Sequence, residues 1–345
     1  MGTQSYFNKF HDAIKLSKQD DSYKKARERD TSITKAIKDT FAAAGYPVIE
    51  DFIQGSFSTD TAILKKNCDF DIDRAIVIDH DNAPENPVIP KVTICDDVLE
   101  KRGFKNANIK KPCVTADYIS ENLHLDFPVY RKSYGSYELA IGKRNSDEAN
   151  RKWSLADPKG LKDWIKDNSG YFGSPSIKQL QFNRIVRYLK RWRDEKFTDA
   201  VGKKIYSIGI TVMAKHCFSP SLDNESRPDD LKALSDTVTS ILDYGFFKYQ
   251  GIEQYKVSVN LPVTPGRDIF DGSCVDTGTQ FRNKLNTLKR KLNDAIAEED
   301  EIKQCKILNQ LFGDDFPIPE EKKTAAFIKK TVFPTSGAVG TSQGA

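Results

Sequence analysis

Alternating acids set the strongest constraint on how this chain folds. In the run from Asp69 to Ile78, DFDIDRAIVI, carboxylates at Asp69, Asp71 and Asp73 are separated by Phe70 and Ile72. Successive side chains of a strand point to opposite faces, so the three acids project together while Phe70 and Ile72 project away. Like charges on one face repel unless a cation lies among them, and hard oxygen ligands at this spacing suit Mg²⁺. The chain is therefore expected to build a sheet that buries one face and presents acids on the other.

The preceding run supplies a complement. A β-rich stretch at 48–53 enters Gly55-Ser56, with Thr59 and Thr61 between this turn and the acids. Glycine permits close backbone approach, and exposed N–H groups with the Ser56 hydroxyl can hold phosphate oxygens, so a triphosphate fits between these donors and a metal. A third acid stands in NLHLDFPVY at 122–130, where Leu123, Leu125 and Phe127 share one face and Asp126 lies opposite. An unpaired carboxylate on a strand that otherwise reads as core is costly. Beside a metal it can bind the ion and draw the proton from an attacking ribose hydroxyl. His124 shares that face and reads as a surface or hydrogen-bonded histidine.

Apolar residues at three-, four- and seven-residue steps predict a helix over 22–44, stopped by Gly45. Strands are expected at 48–53, 70–78 and 122–130, a Pro/Asn/Asp loop at 79–90 and a helix at 96–104. Beyond Trp153 helical spacing prevails, at 177–196, 205–218, 228–247 and 279–312. In the last of these Phe281, Leu285, Leu288, Leu292, Ala295 and Ile296 form an apolar stripe expected in the core. This divides the chain into a core lobe at 1–160, a helical lobe at 161–330, and a tail at 331–345 with almost nothing to bury, expected to be disordered.

Composition excludes several classes. The 53 Lys and Arg against 49 Asp and Glu leave a formal charge of +4, so any basic surface must be local. No apolar run approaches the roughly 18 residues of a spanning helix, and the amino terminus lacks an apolar signal core, so a soluble, cytoplasmic chain without membrane association is expected. The six cysteines form no CxxC pair, which suggests reduced thiols and no zinc site.

The combination GSFSTDT, DFDID and HLDFPVY resembles the cGAS/DncV-like nucleotidyltransferases, the bacterial CD-NTases of CBASS anti-phage defence. WSLADPKGL at 153–161, RIVRYLKRWRD at 184–194 and LNQLFGDDFP at 308–317 extend the resemblance over roughly residues 20–320. It implies an α/β (α+β) fold, with a polymerase-β-like nucleotidyltransferase sheet lobe, a helical C-terminal lobe and the active cleft between them. It further implies two Mg²⁺ ions, with Mn²⁺ as a substitute, held by Asp126 and an Asp-x-Asp pair. Two overlapping pairs exist, Asp69/Asp71 and Asp71/Asp73; the apolar-Asp-Ile-Asp pattern favours Asp71 and Asp73, with Asp69 the alternate.

By the same resemblance Gly55 and Ser56 hold the triphosphate from the sheet, and Arg187 and Ser207 hold it from the helical lobe, with Lys190 in reserve. Arg187, Arg191 and Arg193 also read as a solvated helix face. The implied activity joins nucleoside triphosphates, ATP expected among them, into a cyclic di- or trinucleotide with release of pyrophosphate. A linear product, nucleotide transfer onto a protein, and a catalytically silent nucleotide- or RNA-binding module are the alternatives. No Cys/His insertion supports activation by double-stranded DNA, and the Gly/Ser-rich tail is implied to be a handle for a conjugation enzyme.

Overall fold

The computed structural model describes residues 2–16, 19–64, 70–118 and 123–320; Asp69 and the tail at 331–345 lie outside the described residues. In chain order the elements are helices α1 (Gln4–Ile14) and α2 (Asp21–Ala43), strand β1 (Val48–Gln54), the helical turn α3 (Gly55–Ser58), strand β2 (Phe70–Asp79) and helix α4 (Val88–Val92). Strands β3 (Asn108–Ile109), β4 (Val114–Tyr118), β5 (Leu123–Phe127), β6 (Val129–Ser133), β7 (Ser136–Ile141) and β8 (Lys152–Ala156) complete the sheet. The second half contains α5 (Pro158–Lys166), α6 (Pro175–Lys196), α7 (Asp199–Gly202), α8 (Ser207–Cys217) and α9 (Asp230–Asp243). A hairpin of β9 (Phe247–Gly251) and β10 (Gln254–Val257), then α10 (Val275–Ala297) and α11 (Glu301–Phe312), complete it.

The sheet runs β3-β4-β5-β2-β6-β7-β8, with β1 also pairing β2. Strand β2 organises it, because its first half pairs with β5 and its second half with β6, both parallel. Pro128 explains why the single strand expected over 122–130 is two: proline has no N–H to donate to a ladder, so β5 ends before it. Its carbonyl still accepts from the Ile76 amide at 3.0 Å.

Alternation along β2 sorts its faces. Ile72, Ile76 and Ile78 join a core with Ile33, Ile37 and Phe41 of α2. Ala75 and Val77, which share the parity of Asp71 and Asp73, pack in a separate small cluster with Tyr130 and Tyr137. Arg74, on the α2 side, is buried and donates from Nε to Asp30 Oδ1 and from Nη1 to Asp51 Oδ2, each at 3.0 Å, tying α2 and β1 to the acid strand.

Three expectations are corrected. The helix expected at 96–104 begins earlier, as a continuous helical stretch of α4, a wide π turn (Thr93–Leu99) and a tight turn (Glu100–Arg102) ended by Gly103 at φ +88°. The helix expected over 279–312 is two, because Asp300 accepts from the Lys303 amide at 2.8 Å and caps α11; Ile296, placed in the stripe, is exposed. Helix α1 lies outside every element expected from the sequence. Its Tyr6, Phe7, Phe10 and Ile14 enter the core of the helical lobe, with Phe10 stacked on Tyr188 at 5.1 Å between ring centroids. Among the described residues no helix is long and apolar enough to cross a membrane.

Candidate active site

Strand β1 ends with Gln54 opposite Asp73, and the chain turns at once through Gly55 at φ +66°. A Cβ at Gly55 would lie 2.1 Å from Asp73 Oδ2, so only glycine lets the turn rest on this carboxylate. The turn is held from within: Ser58 Oγ donates to the Gly55 carbonyl at 2.9 Å, and the Thr61 amide donates to the Ser56 carbonyl at 2.9 Å.

Parallel pairing of β2 with β5 sets Asp73 beside Asp126 and Asp71 beside His124. Strand β4 extends both rows, with Thr115 opposite Asp126 and Asp117 opposite His124. Thr115 Oγ1 donates to Asp126 Oδ1, and His124 Nδ1 lies 2.5 Å from Asp117 Oδ1. The Lys110 ammonium stands 3.9 Å from Asp126 Oδ1. Behind it the buried Lys91 Nζ donates to the carbonyls of Lys110 at 2.7 Å and Lys111 at 2.9 Å, which fixes the turn that carries Lys110.

Electrostatics identify Asp73 as the strained member. Burial, with the charges of Asp126 and Asp71 next to it, pushes its carboxyl up to about 7, against the opposing pull of Lys190 and Lys110. A carboxyl that retains a proton near neutrality marks a site short of positive charge. The oxygen donor set of Asp71, Asp73 and Asp126 fits a hard divalent cation, whose binding would displace that proton. Among the described residues, the group of three metal-type ligands closer than 4.8 Å to one another lies elsewhere, at Cys95, Asp96 and Glu100. There Arg144 Nη1 already donates to Asp96 at 2.7 Å, so that group reads as an ion pair. The three aspartates are set wider on their shared face.

The helical lobe meets this face through α6. Lys190 is buried, and its Nζ donates to the Thr61 carbonyl at 2.9 Å and to Thr61 Oγ1 at 3.2 Å. Burial first, then Arg193 and Arg187, bring its ammonium down to about 7, while Asp194 and Asp73 pull the other way. Ser207 opens α8, and its hydroxyl accepts from Arg193 Nη1 at 2.8 Å. Arg187, expected on the phosphates, donates from Nε to the Ala62 carbonyl at 3.0 Å and from Nη1 to His11 Nε2 at 3.1 Å. The solvated-face reading of α6 fails, because Arg191 is 2% exposed and donates to the Leu64 carbonyl at 2.6 Å. The reserve candidate Lys190 is the α6 cation whose charge acts on Asp73, while its ammonium is bonded to Thr61.

Sequence reasoning missed Thr115 and Lys110. The signal for Thr115 was available in VTADY, where Thr115 and Asp117 alternate with Val114 and Ala116 as the acids do on β2. Lys110 lies on a turn whose position depends on Lys91, remote from it in sequence, and no local pattern announces it.

Residues 1–168 match the Second Messenger Oligonucleotide or Dinucleotide Synthetase (SMODS) domain. A cyclic GMP-AMP synthase of Escherichia albertii is 30% identical over 174 residues, which cover 48% of this chain and 36% of that protein. The chain spans less than half the length of the curated relatives it matches. In fold it is similar to the Bradyrhizobium diazoefficiens CD-NTase CdnG, solved in complex with GTP, at a TM-score of 0.67 and 16% identity, covering 90% of this chain and 94% of that one. It is also similar to the Vibrio cholerae DncV cyclic AMP-GMP synthase, solved with the linear intermediate 5′ pppA(3′,5′)pG, at a TM-score of 0.59 and 19% identity, covering 78% and 69%. The fold is the α+β nucleotidyltransferase fold of these neighbours, with a mixed sheet lobe and a helical lobe. The SMODS match places residues 1–168, the sheet lobe, in the Second Messenger Oligonucleotide or Dinucleotide Synthetase domain family, and over most of its length the chain shares the fold of the CD-NTase CdnG and of DncV.

Proposed function

We propose that this protein joins nucleoside triphosphates, ATP among them, into a cyclic di- or trinucleotide second messenger with release of pyrophosphate. The observation that carries the reading is the pairing of Asp73 with Asp126 across parallel strands, with the Gly55 turn resting on Asp73. That arrangement puts backbone donors for a phosphate chain on one side of the acids and a carboxylate able to take a proton on the other. Cyclic rather than linear joining is supported by the cyclic GMP-AMP synthase relatives.

In this reading Gly55 and Ser56 present backbone N–H groups to the triphosphate, and Lys190 and Ser207 meet it from the helical lobe. Asp126, oriented by Thr115, accepts the proton of the attacking ribose hydroxyl. Asp71, Asp73 and Asp126 would hold divalent cations, Mg²⁺ or Mn²⁺, which when bound offset the charge that develops on the phosphoryl oxygens. Holding hydroxyl and α-phosphate in line removes the entropic cost of a bimolecular encounter. We place the product in anti-phage signalling in the cytoplasm, on the sequence resemblance.

The test is incubation with all four triphosphates and Mg²⁺ or Mn²⁺, followed by pyrophosphate measurement and mass spectrometry. A phosphatase-resistant cyclic product is expected. A phosphatase-sensitive chain would make the protein a linear synthetase, and an absence of pyrophosphate would leave it a binding module.

A further inference from the structure

The segment 61–64 leads from the Gly55 turn toward the acid strand, and Ala62 and Leu64 pack in the sheet-lobe core, yet the carbonyls of Thr61, Ala62 and Leu64 and the Leu64 amide all bond to α6 and α1. Three α6 cations take three of its carbonyls: Lys190 that of Thr61, Arg187 that of Ala62 and Arg191 that of Leu64. On the other side, the Leu64 amide donates to the Ile14 carbonyl at 2.9 Å, and Ile63 forms an antiparallel bridge with Lys15 at the end of α1. Helix α1 is itself packed into the helical core through Phe7, Phe10 and Ile14. A piece of the sheet lobe is therefore gripped between two elements of the helical core.

We infer that Arg187 and Arg191 are positioning residues, which fix the Gly55 turn against Asp73 by clamping this connector to the helical lobe. Charged donors to neutral carbonyls give directional bonds; Arg191 is hidden from water that would compete for them, and Arg187 is half-buried. Burial brings the Arg187 guanidinium down to about 10. His11 lies behind it, its imidazole lowered to about 4 by burial and by the charges of Arg187, Lys15 and Arg184, so it is neutral and able to accept from Arg187 at physiological pH. The Thr61 amide closes back on Ser56. Any displacement of the connector therefore moves the phosphate-facing turn, and a shift of about 1 Å in a reacting group costs up to about a hundredfold in rate.

The inference extends the proposed activity, and its test has one arm that needs no activity. Hydrogen exchange followed by mass spectrometry on the full chain reads the connector directly, in wild type, Arg187→Gln, Arg191→Gln and Arg187→Lys. Exchange in peptides spanning 55–64 is expected to rise about tenfold in both Gln variants and to recover partly in Arg187→Lys, with peptides from α8 and α9 unchanged. In the kinetic arm, with ATP and Mg²⁺, kcat for pyrophosphate release is expected to fall about tenfold in the Gln variants, with partial recovery in Arg187→Lys.

Unchanged exchange at 55–64 in both Gln variants would overturn the inference. So would unchanged exchange with a loss of affinity for ATP alone, which would return Arg187 to direct phosphate contact. If both Gln variants exchange faster throughout, the decision passes to His11→Gln, in which the connector alone must exchange faster. A wild type that releases no pyrophosphate would remove the proposed activity while the exchange arm still decides the clamp.

Discussion

A hydrogen atom in place of a methyl group is what lets residue 55 lie against Asp73. From sequence, Gly55 reads as an opening for phosphate; the structure adds that its missing Cβ is space filled by the Asp73 carboxylate, at positive φ. Gly55→Ala is therefore expected to destabilise the protein by about 1–2 kcal/mol in chemical denaturation, from the left-handed backbone alone. Pyrophosphate release should fall at least about a hundredfold as Asp73 is displaced. Asp73 itself gives a pH signature. Its folded pKa lies near 7 and its unfolded value near 4, so the native state binds the extra proton between these values and this contribution to stability falls as pH rises through that window. His11, lowered to about 4, acts with the opposite sign over much of the same range, so the wild-type profile alone mixes the two. The difference in Tm between wild type and Asp73→Asn isolates Asp73. The advantage of wild type over Asp73→Asn should shrink from pH 5 to pH 7.5 without divalent cations, and added Mg²⁺ should reduce that shrinkage.

Elements were legible in proportion to how local their causes are. Helix α2 and strands β1 and β2 were readable because burial on one face leaves a period in the sequence, and Gly45 marks the end of α2 at φ +88°. Strand β5 was readable from the same alternation, and Pro128 marks its end in the sequence. Helix α1 carries the same three- and four-residue period in Phe7, Phe10 and Ile14, but its N-cap makes no side-chain bond that would mark the start, and its partners Tyr188, Phe312 and Phe316 lie too far along the chain to be read from local pattern. Its packing makes a firm expectation: Phe10→Ala should cost about 3–5 kcal/mol in urea unfolding. A cost below about 1 kcal/mol would mean that α1 does not seal the helical core. The candidate site shows the same division. Asp71, Asp73 and Asp126 announce themselves by polarity on buried strands, whereas the roles of Arg187, Lys190 and Arg191 are set by which lobe they face, which a helical wheel does not encode.

At the scale of the whole molecule, the sheet lobe presents acids on the face away from α2, and from the helical lobe the charge of Lys190 acts on Asp73. The two lobes are joined by the α5 stretch and also by the clamp on 61–64, so closure over a substrate would carry the Gly55 turn with it. Asp73 and Asp126 are proposed as the centre of a nucleotidyl-transfer site that closes a ring. The most direct measurement is pyrophosphate release with mass spectrometry of the products, comparing wild type with Asp126→Asn in the presence of all four triphosphates and Mg²⁺ or Mn²⁺. A phosphatase-resistant cyclic product is expected from wild type, and at least about a thousandfold less from Asp126→Asn, whose side chain cannot accept the proton. Equal product from both proteins, or none from wild type with either metal, would contradict this assignment.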